Sequence, residues 1–197
     1  VEKPGENIGN LANMWGFLVN GYFLTLCNQV ELSSRGEYEI PDALNIFLQE
    51  ETFVLHRIEE TLLDIGYSWN LLDANKHFLE HLKDSNIQGS VERNVHIDGN
   101  IILEEGAIIK SGSYIEGNCY FGKNAIIGPN AYVRGNTSLW EESKIWFCVE
   151  VKNSYIGDHT KISHLSYLWD SVVGNHVNLW CGFKVAILRH DGKTHKV

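Results

Sequence analysis

The chain has 197 residues, enough for one large domain or two small ones with a real core. Its net charge is −9 with a pI near 5.4, which argues against a nucleic-acid partner and leaves anionic ligands to locally gathered basic residues. Cys27, Cys119, Cys148 and Cys181 lack CxxC spacing, and no apolar run reaches membrane-spanning length, so a reduced, cytoplasmic chain without membrane contact is expected.

In chain order, VEKPGENIGN has no apolar signal core and no methionine, so the chain is expected to start inside a longer gene product. Ala43, Ile46 and Phe47 suit a short helix after Pro41. Glu51 to Ile58 reads as a strand. Trp69, Leu72, Phe78, Leu79 and Leu82 mark one apolar side of a helix over Ser68 to Leu82, with Ser68 or Asn70 as its cap. Asp84 to Gly89 reads as a linker. Residues 1–85 thus have α/β character but are short for an independent domain of that class.

Beyond the linker an internal repeat takes over. Val91, Ile97, Leu103, Ile109, Ile115, Phe121, Ile127, Val133, Leu139, Ile145 and Val151 each fall six residues after the last. The series slips by one to Ile156, continues through Ile162 and Leu168, slips again to Val173, and runs on to Leu179 and Val185. Gly99-Asn100, Gly117-Asn118 and Gly135-Asn136 recur where a corner needs positive φ. Six residues make one short strand and a corner. Three units make a triangular coil, and coils stack at roughly 4.8 Å. The expected fold of 90–197 is a parallel β-helix of hexapeptide repeats.

That register generates site candidates. Arg134 follows inward Val133, and Lys152 follows inward Val151, so the two stack in adjacent coils. Stacked cations repel by about 1 kcal/mol at 4 Å in water. An anionic ligand would relieve this, and so would a plain charge ladder, because Glu116 and Asp98 continue the column. His164 suits a general base, since an imidazole titrates near neutral pH. His159 and His164 are also five apart, the spacing of the zinc-binding γ-class carbonic anhydrases. No histidine occurs between His96 and His159 to supply a third ligand.

The sequence resembles a known family. Residues 1–85 resemble the last third of a sugar-phosphate nucleotidyltransferase domain. The motifs are Val1-Glu2-Lys3-Pro4, Asn10-Leu11-Ala12-Asn13, Arg35-Gly36-Glu37-Tyr38-Glu39-Ile40, Leu63-Asp64-Ile65-Gly66-Tyr67 and Trp69-Asn70-Leu71-Leu72-Asp73-Ala74-Asn75. Residues 90–197 resemble the hexapeptide domain fused to it in archaeal bifunctional sugar-1-phosphate nucleotidyltransferase/acetyltransferases, which are similar to the bacterial N-acetylglucosamine-1-phosphate uridyltransferase. Val149-Glu150-Val151-Lys152-Asn153-Ser154, Lys161-Ile162-Ser163-His164-Leu165-Ser166-Tyr167 and Asn175-His176-Val177-Asn178-Leu179 carry that match.

The resemblance implies a left-handed β-helix, a homotrimer, and acetyl transfer from acetyl-CoA to glucosamine-1-phosphate. It implies His164 as base, Arg134 and Lys152 on the acceptor's phosphate or nucleotide, and Tyr167 and Asn178 on the acceptor. Lys193 and Lys196 would contact phosphate or coenzyme A. In the first half it implies Glu2 on sugar hydroxyls, Lys3 on the sugar phosphate, Glu39 in the sugar pocket and Asp64 on Mg2+. The family's Gly-rich nucleotide loop has no match here, so nucleotidyl transfer is not expected of this chain, which reads as truncated at the N-terminus and at the C-terminus.

Departures from the family fall at Trp140, Trp146, Trp169 and Trp180, where it carries small residues. They are expected as subunit contacts, exposed surface or plugs in ligand grooves, with Trp180 over Ser163 beside the acyl pocket. Ile187 stands for Asn, and Phe183 for a small residue. Two further readings stand beside the enzyme: a trimerisation or ligand-binding module without catalysis, and a metal hydrolase.

Overall fold

The computed structural model describes residues 14, 16–52, 54–59, 62–185, 187 and 191–193. They form two compact units, 1–62 and 63–197.

In the first unit, α1 (Gly21–Leu26) starts at Asn20, whose side chain accepts the Phe23 N–H at 3.1 Å. A 3-10 turn, Cys27–Gln29, follows, and then α2 (Ile40–Phe47), with Pro41 in its first turn where no N–H is needed. Phe23 meets Phe47 edge-on, with ring centroids 5.8 Å apart. Phe23, Leu26 and Ala43 are buried. The strand expected over 51–58 is absent among the described residues there. A strand needs a partner for its backbone groups, and none runs beside it among the described residues. Val54 and Leu55 stand 85% and 79% exposed instead.

The second unit opens with α3 (Asn70–Glu80), shorter at both ends than the expected helix. Neither expected cap bonds the helix start. The Asn70 side chain turns back to accept the Tyr67 N–H at 2.9 Å.

The rest of the unit is a parallel β-helix with three faces. The first face stacks Asn86–Ile87, Ile101–Leu103, Cys119–Phe121, Thr137–Leu139, Tyr155–Ile156 and Val172–Val173. The second stacks Ser90–Val91, Ile108–Ile109, Ile126–Ile127, Lys144–Ile145, Lys161–Ile162 and Asn178–Leu179. The third stacks His96–Asp98, Tyr114–Glu116, Tyr132–Arg134, Glu150–Lys152 and Tyr167–Trp169. The coil begins inside the expected linker, because Asn86–Ile87 supplies the partner that Ile102–Leu103 would otherwise lack.

Every inward residue of the repeat from Leu103 to Leu168 is buried. Each large aliphatic of this kind contributes about 1.5–3 kcal/mol on burial. The slips fall where the repeat places them. Val133 pairs with Val151, but Leu139 pairs with Ile156 and Ile145 with Ile162. A second inward series, unnoticed in the sequence, sits two residues ahead: Ala107, Ser113, Cys119, Ala125, Ala131, Thr137, Ser143, Val149, Ser154, Thr160 and Ser166 are all buried. Small side chains fit where the corners narrow the prism. Their hydroxyls close on local carbonyls, such as Thr160 to Gly174 at 2.7 Å. No buried polar side-chain atom among the described residues lacks a partner.

The Gly corners behave as expected. Gly99 has φ 131°, and a Cβ there would stand 2.6 Å from the Gly117 carbonyl oxygen. The asparagines beside them do more. Asn118 Nδ2 donates to the Leu79 carbonyl at 2.7 Å, and Asn100 Nδ2 to the Leu82 carbonyl at 3.2 Å. Leu79 lies in the last turn of α3 and Leu82 just beyond it, so these amides tie the end of the helix to the coil. Asn75 of α3 donates in turn to the Asn136 carbonyl at 2.7 Å. Among the described residues, no helix is long and apolar enough to cross a membrane.

Two outcomes follow from the burial pattern. Ile145→Ala should cost about 2–5 kcal/mol in denaturant unfolding, against about 0.5 or less for exposed Lys123→Ala. Burial pushes the Cys119 thiol up to about 12, whereas Cys27, Cys148 and Cys181 are exposed. Alkylation of the native protein at pH 8, read by mass, should therefore spare Cys119 until the chain is unfolded.

Candidate functional site

Because side chains alternate along a strand, the residues flanking each inward position of the third face point outward in two columns. One runs His96, Tyr114, Tyr132, Glu150 and Tyr167. The other runs Asp98, Glu116, Arg134, Lys152 and Trp169. Arg134 and Lys152 are therefore neighbours in adjacent rungs, as expected.

Their charges are answered within the chain. Glu150 Oε1 lies 2.8 Å from Arg134 Nη2 and accepts from Nε at 2.9 Å. The Lys152 ammonium lies 4.2 Å from the Trp169 ring centroid, a cation–π contact worth about 0.5–2 kcal/mol. Below them, the Tyr132 hydroxyl donates to Glu116, and that carboxylate holds the phenol above its usual range. Glu150 occupies one edge of the Arg134 fork. Nη1 has no hydrogen-bond partner among the described residues, and the Lys152 ammonium has no carboxylate. Both can still receive an anion.

His164 lies on the connection between Lys161–Ile162 and Tyr167–Trp169, just before Leu165 in left-handed backbone at φ 58°. Its carbonyl is held by the Gly182 N–H at 3.0 Å. Its ring is exposed, with no hydrogen-bond partner among the described residues. Trp146 stands beside it, centroids 6.3 Å apart and tilted by 34°. Leu179 does pair with Ile162, but Trp180 is 78% exposed. The indole next to His164 thus comes from the coil before it, not from Trp180.

The remaining candidates are scattered. Tyr167 shares the third face, 6.4 Å from Trp169 between ring centroids. Asn178 lies on the second face. Lys193 is exposed, and its N–H bonds the Asp191 side chain at 3.2 Å. Glu2, Lys3 and Lys196 lie outside the described residues. Asp64 is exposed, and the described residues hold no cluster of three or more His, Cys, Asp or Glu fit for a metal. His159 is bound to Glu142, 3.2 Å away, on the second-face corner, and does not join His164.

Sequence reasoning missed Glu150, and it put Trp146 outside the coil without placing it beside His164. The register does contain them. Glu150 precedes Lys152 by two, on the same outward side, and Trp146 leads His164 by one coil and a residue.

Over all 197 residues the chain is 44% identical to the bifunctional sugar-1-phosphate nucleotidylyltransferase/acetyltransferase of Sulfurisphaera tokodaii, covering 49% of that protein. It is 40% identical over 196 residues to the bifunctional protein GlmU of Methanocaldococcus jannaschii, covering 48% of it. The chain is homologous to these bifunctional enzymes. It spans about half the length of these relatives. A 50-residue stretch is 56% identical to GlmU of Acetivibrio thermocellus, 25% of this chain and 10% of that protein. Among solved structures, a perosamine N-acetyltransferase from Caulobacter crescentus shares 13% identity at a TM-score of 0.33, over 48% of this chain and 50% of that one. No protein-family model matches the sequence.

The Arg134–Glu150 pair is about one-third exposed on both sides, so it should be weak. A double-mutant cycle with Arg134→Ala and Glu150→Ala, read by urea unfolding, should give a coupling of about 0.2–1 kcal/mol.

Proposed function

We propose that the β-helix carries an acetyltransferase site, moving acetyl from acetyl-CoA to the amine of glucosamine-1-phosphate. The carrying observation is the third-face cation pair, Arg134 and Lys152 in register, in a chain 44% identical to a bifunctional nucleotidylyltransferase/acetyltransferase. Their free donors bind the sugar phosphate. The His164 imidazole takes a proton from the ammonium group. The freed nitrogen attacks the thioester carbon, the C–S bond breaks, and the coenzyme A thiolate leaves with the proton that His164 gives up, while the new amide nitrogen releases its second proton to solvent. Tyr167 and Asn178 orient the acceptor. Lys193 and Lys196 meet the phosphates of coenzyme A or the acceptor.

Asn178 and Tyr167 stand on different faces of one chain. This supports a homotrimer in which faces of neighbouring copies meet. In the same proposal, 1–85 belongs to a nucleotidyltransferase domain, with Glu2 and Lys3 on the sugar phosphate and Asp64 toward its Mg2+. Residues 90–197 are the acetyltransferase-like domain, and the protein works in the cytoplasm.

A second reading, a binding or trimerisation module, draws on the internal contacts of the two cations and on a His164 ring without an orienting acid among the described residues. One assay separates them. Acetyl-CoA turnover with glucosamine-1-phosphate should appear, and His164→Ala should lower kcat by about 10²–10⁴ with unfolding unchanged. A trimer by light scattering with no turnover at any substrate concentration would establish the module instead.

A further inference from the structure

The second face gathers its own ionisable side chains. Its register pairs Lys144 with Lys161, and Lys161 with Asn178. Two residues ahead of each lie Glu142, His159 and His176, all in left-handed backbone with φ 53°, 55° and 58°. These two columns line an open depression of about 350 Å³.

Charge is unevenly answered there. Glu142 Oε2 lies 3.2 Å from His159 Nδ1, and His159 stacks on His176 with centroids 4.8 Å apart and planes within 6°. The one carboxylate lining the depression is thus engaged by an imidazole. Lys144 and Lys161 have no ion-pair partner among the described residues. Like charges directly opposite in a ladder destabilise it. In a chain with 25 acidic and 16 basic residues, two adjacent unpaired lysines reverse the overall charge locally.

The same geometry argues against a metal. A zinc ion sits about 2.0–2.1 Å from a ring nitrogen, in that ring's plane. Two stacked, near-parallel rings do not aim at one such point. An anion suits the set better. A phosphate dianion can bridge two ammonium groups, with a ring N–H of His176 as a further donor.

We infer that this depression binds a phosphate-bearing small molecule, at a site separate from the third-face cations. The inference does not rest on acetyl transfer.

The test titrates inorganic phosphate and pyrophosphate into the whole chain at pH 8, by calorimetry and by the imidazole proton resonances of His159 and His176. Binding should shift both resonances and weaken with added salt. The Lys144→Gln/Lys161→Gln double variant should bind at least about tenfold more weakly, an expected effect of two charge-assisted contacts. The Arg134→Gln/Lys152→Gln variant should retain the shifts. Circular dichroism checks folding, and if the lysine variant does not fold, the wild-type histidine shifts decide. Absent histidine shifts, or unchanged affinity in a folded lysine variant, overturn the site. Binding lost with the third-face variant would move phosphate to the proposed acceptor site and overturn this one. Phosphate binding here without acetyl turnover would leave this inference standing and sink the other.

Discussion

The parallel ladder between coils sets almost everything else in the second unit. Each inward aliphatic must sit on the one below, and each backbone N–H must reach the next coil's carbonyl. With both fixed, no outward residue chooses its neighbours. Arg134 meets Lys152 because Val133 meets Val151. Lys152 meets Trp169, and not Asp170, because the coil has shortened by one residue by then.

That shortening falls at one kind of corner. The three early turns from third face to first carry Gly-Asn pairs, and their asparagines or carbonyls bond α3 or the Leu82 carbonyl just after it. The two later turns drop a residue and place Asn153 and Asp170 at φ 43° and 45°. There Asn153 Nδ2 donates to Asp170 Oδ1 at 2.7 Å. The longer corner thus accompanies the stretch where a helix must be docked.

This explains what could be read in advance. Period and slips were legible, since a six-residue hydrophobic repeat has few competing explanations, and the Arg134–Lys152 adjacency followed from counting. Glu150 was not found, because its bond to Arg134 runs diagonally between rungs and depends on rotamers. The strand over 51–58 was misread, because β-propensity describes a residue's fit to a sheet and cannot supply the sheet. Asn70 fits a cap by type, yet its side chain serves the preceding turn. The setting of His164, with no carboxylate partner among the described residues, and the second-face depression needed the fold, since both gather residues from three coils.

The tryptophans show how far one substitution pattern can diverge in consequence. All four follow an inward apolar residue, so each indole stands outside the coil. Trp140 lies between Tyr120 and Tyr155, with centroids 5.1 and 5.6 Å away. Trp146 flanks His164, Trp169 covers Lys152, and Trp180 faces solvent. For an anion-binding lysine, an indole is a different partner from a carboxylate. It stabilises the charge without neutralising it, and it does not compete for an ammonium N–H through a lone pair. An incoming phosphate can therefore take hydrogen bonds from Lys152 while the ring remains in place. Arg134 is the opposite case. Glu150 offsets its charge, so a phosphate must share the guanidinium with a carboxylate that repels it. Of the two cations, Lys152 keeps the less compensated charge, which makes it the stronger anchor in the proposed site.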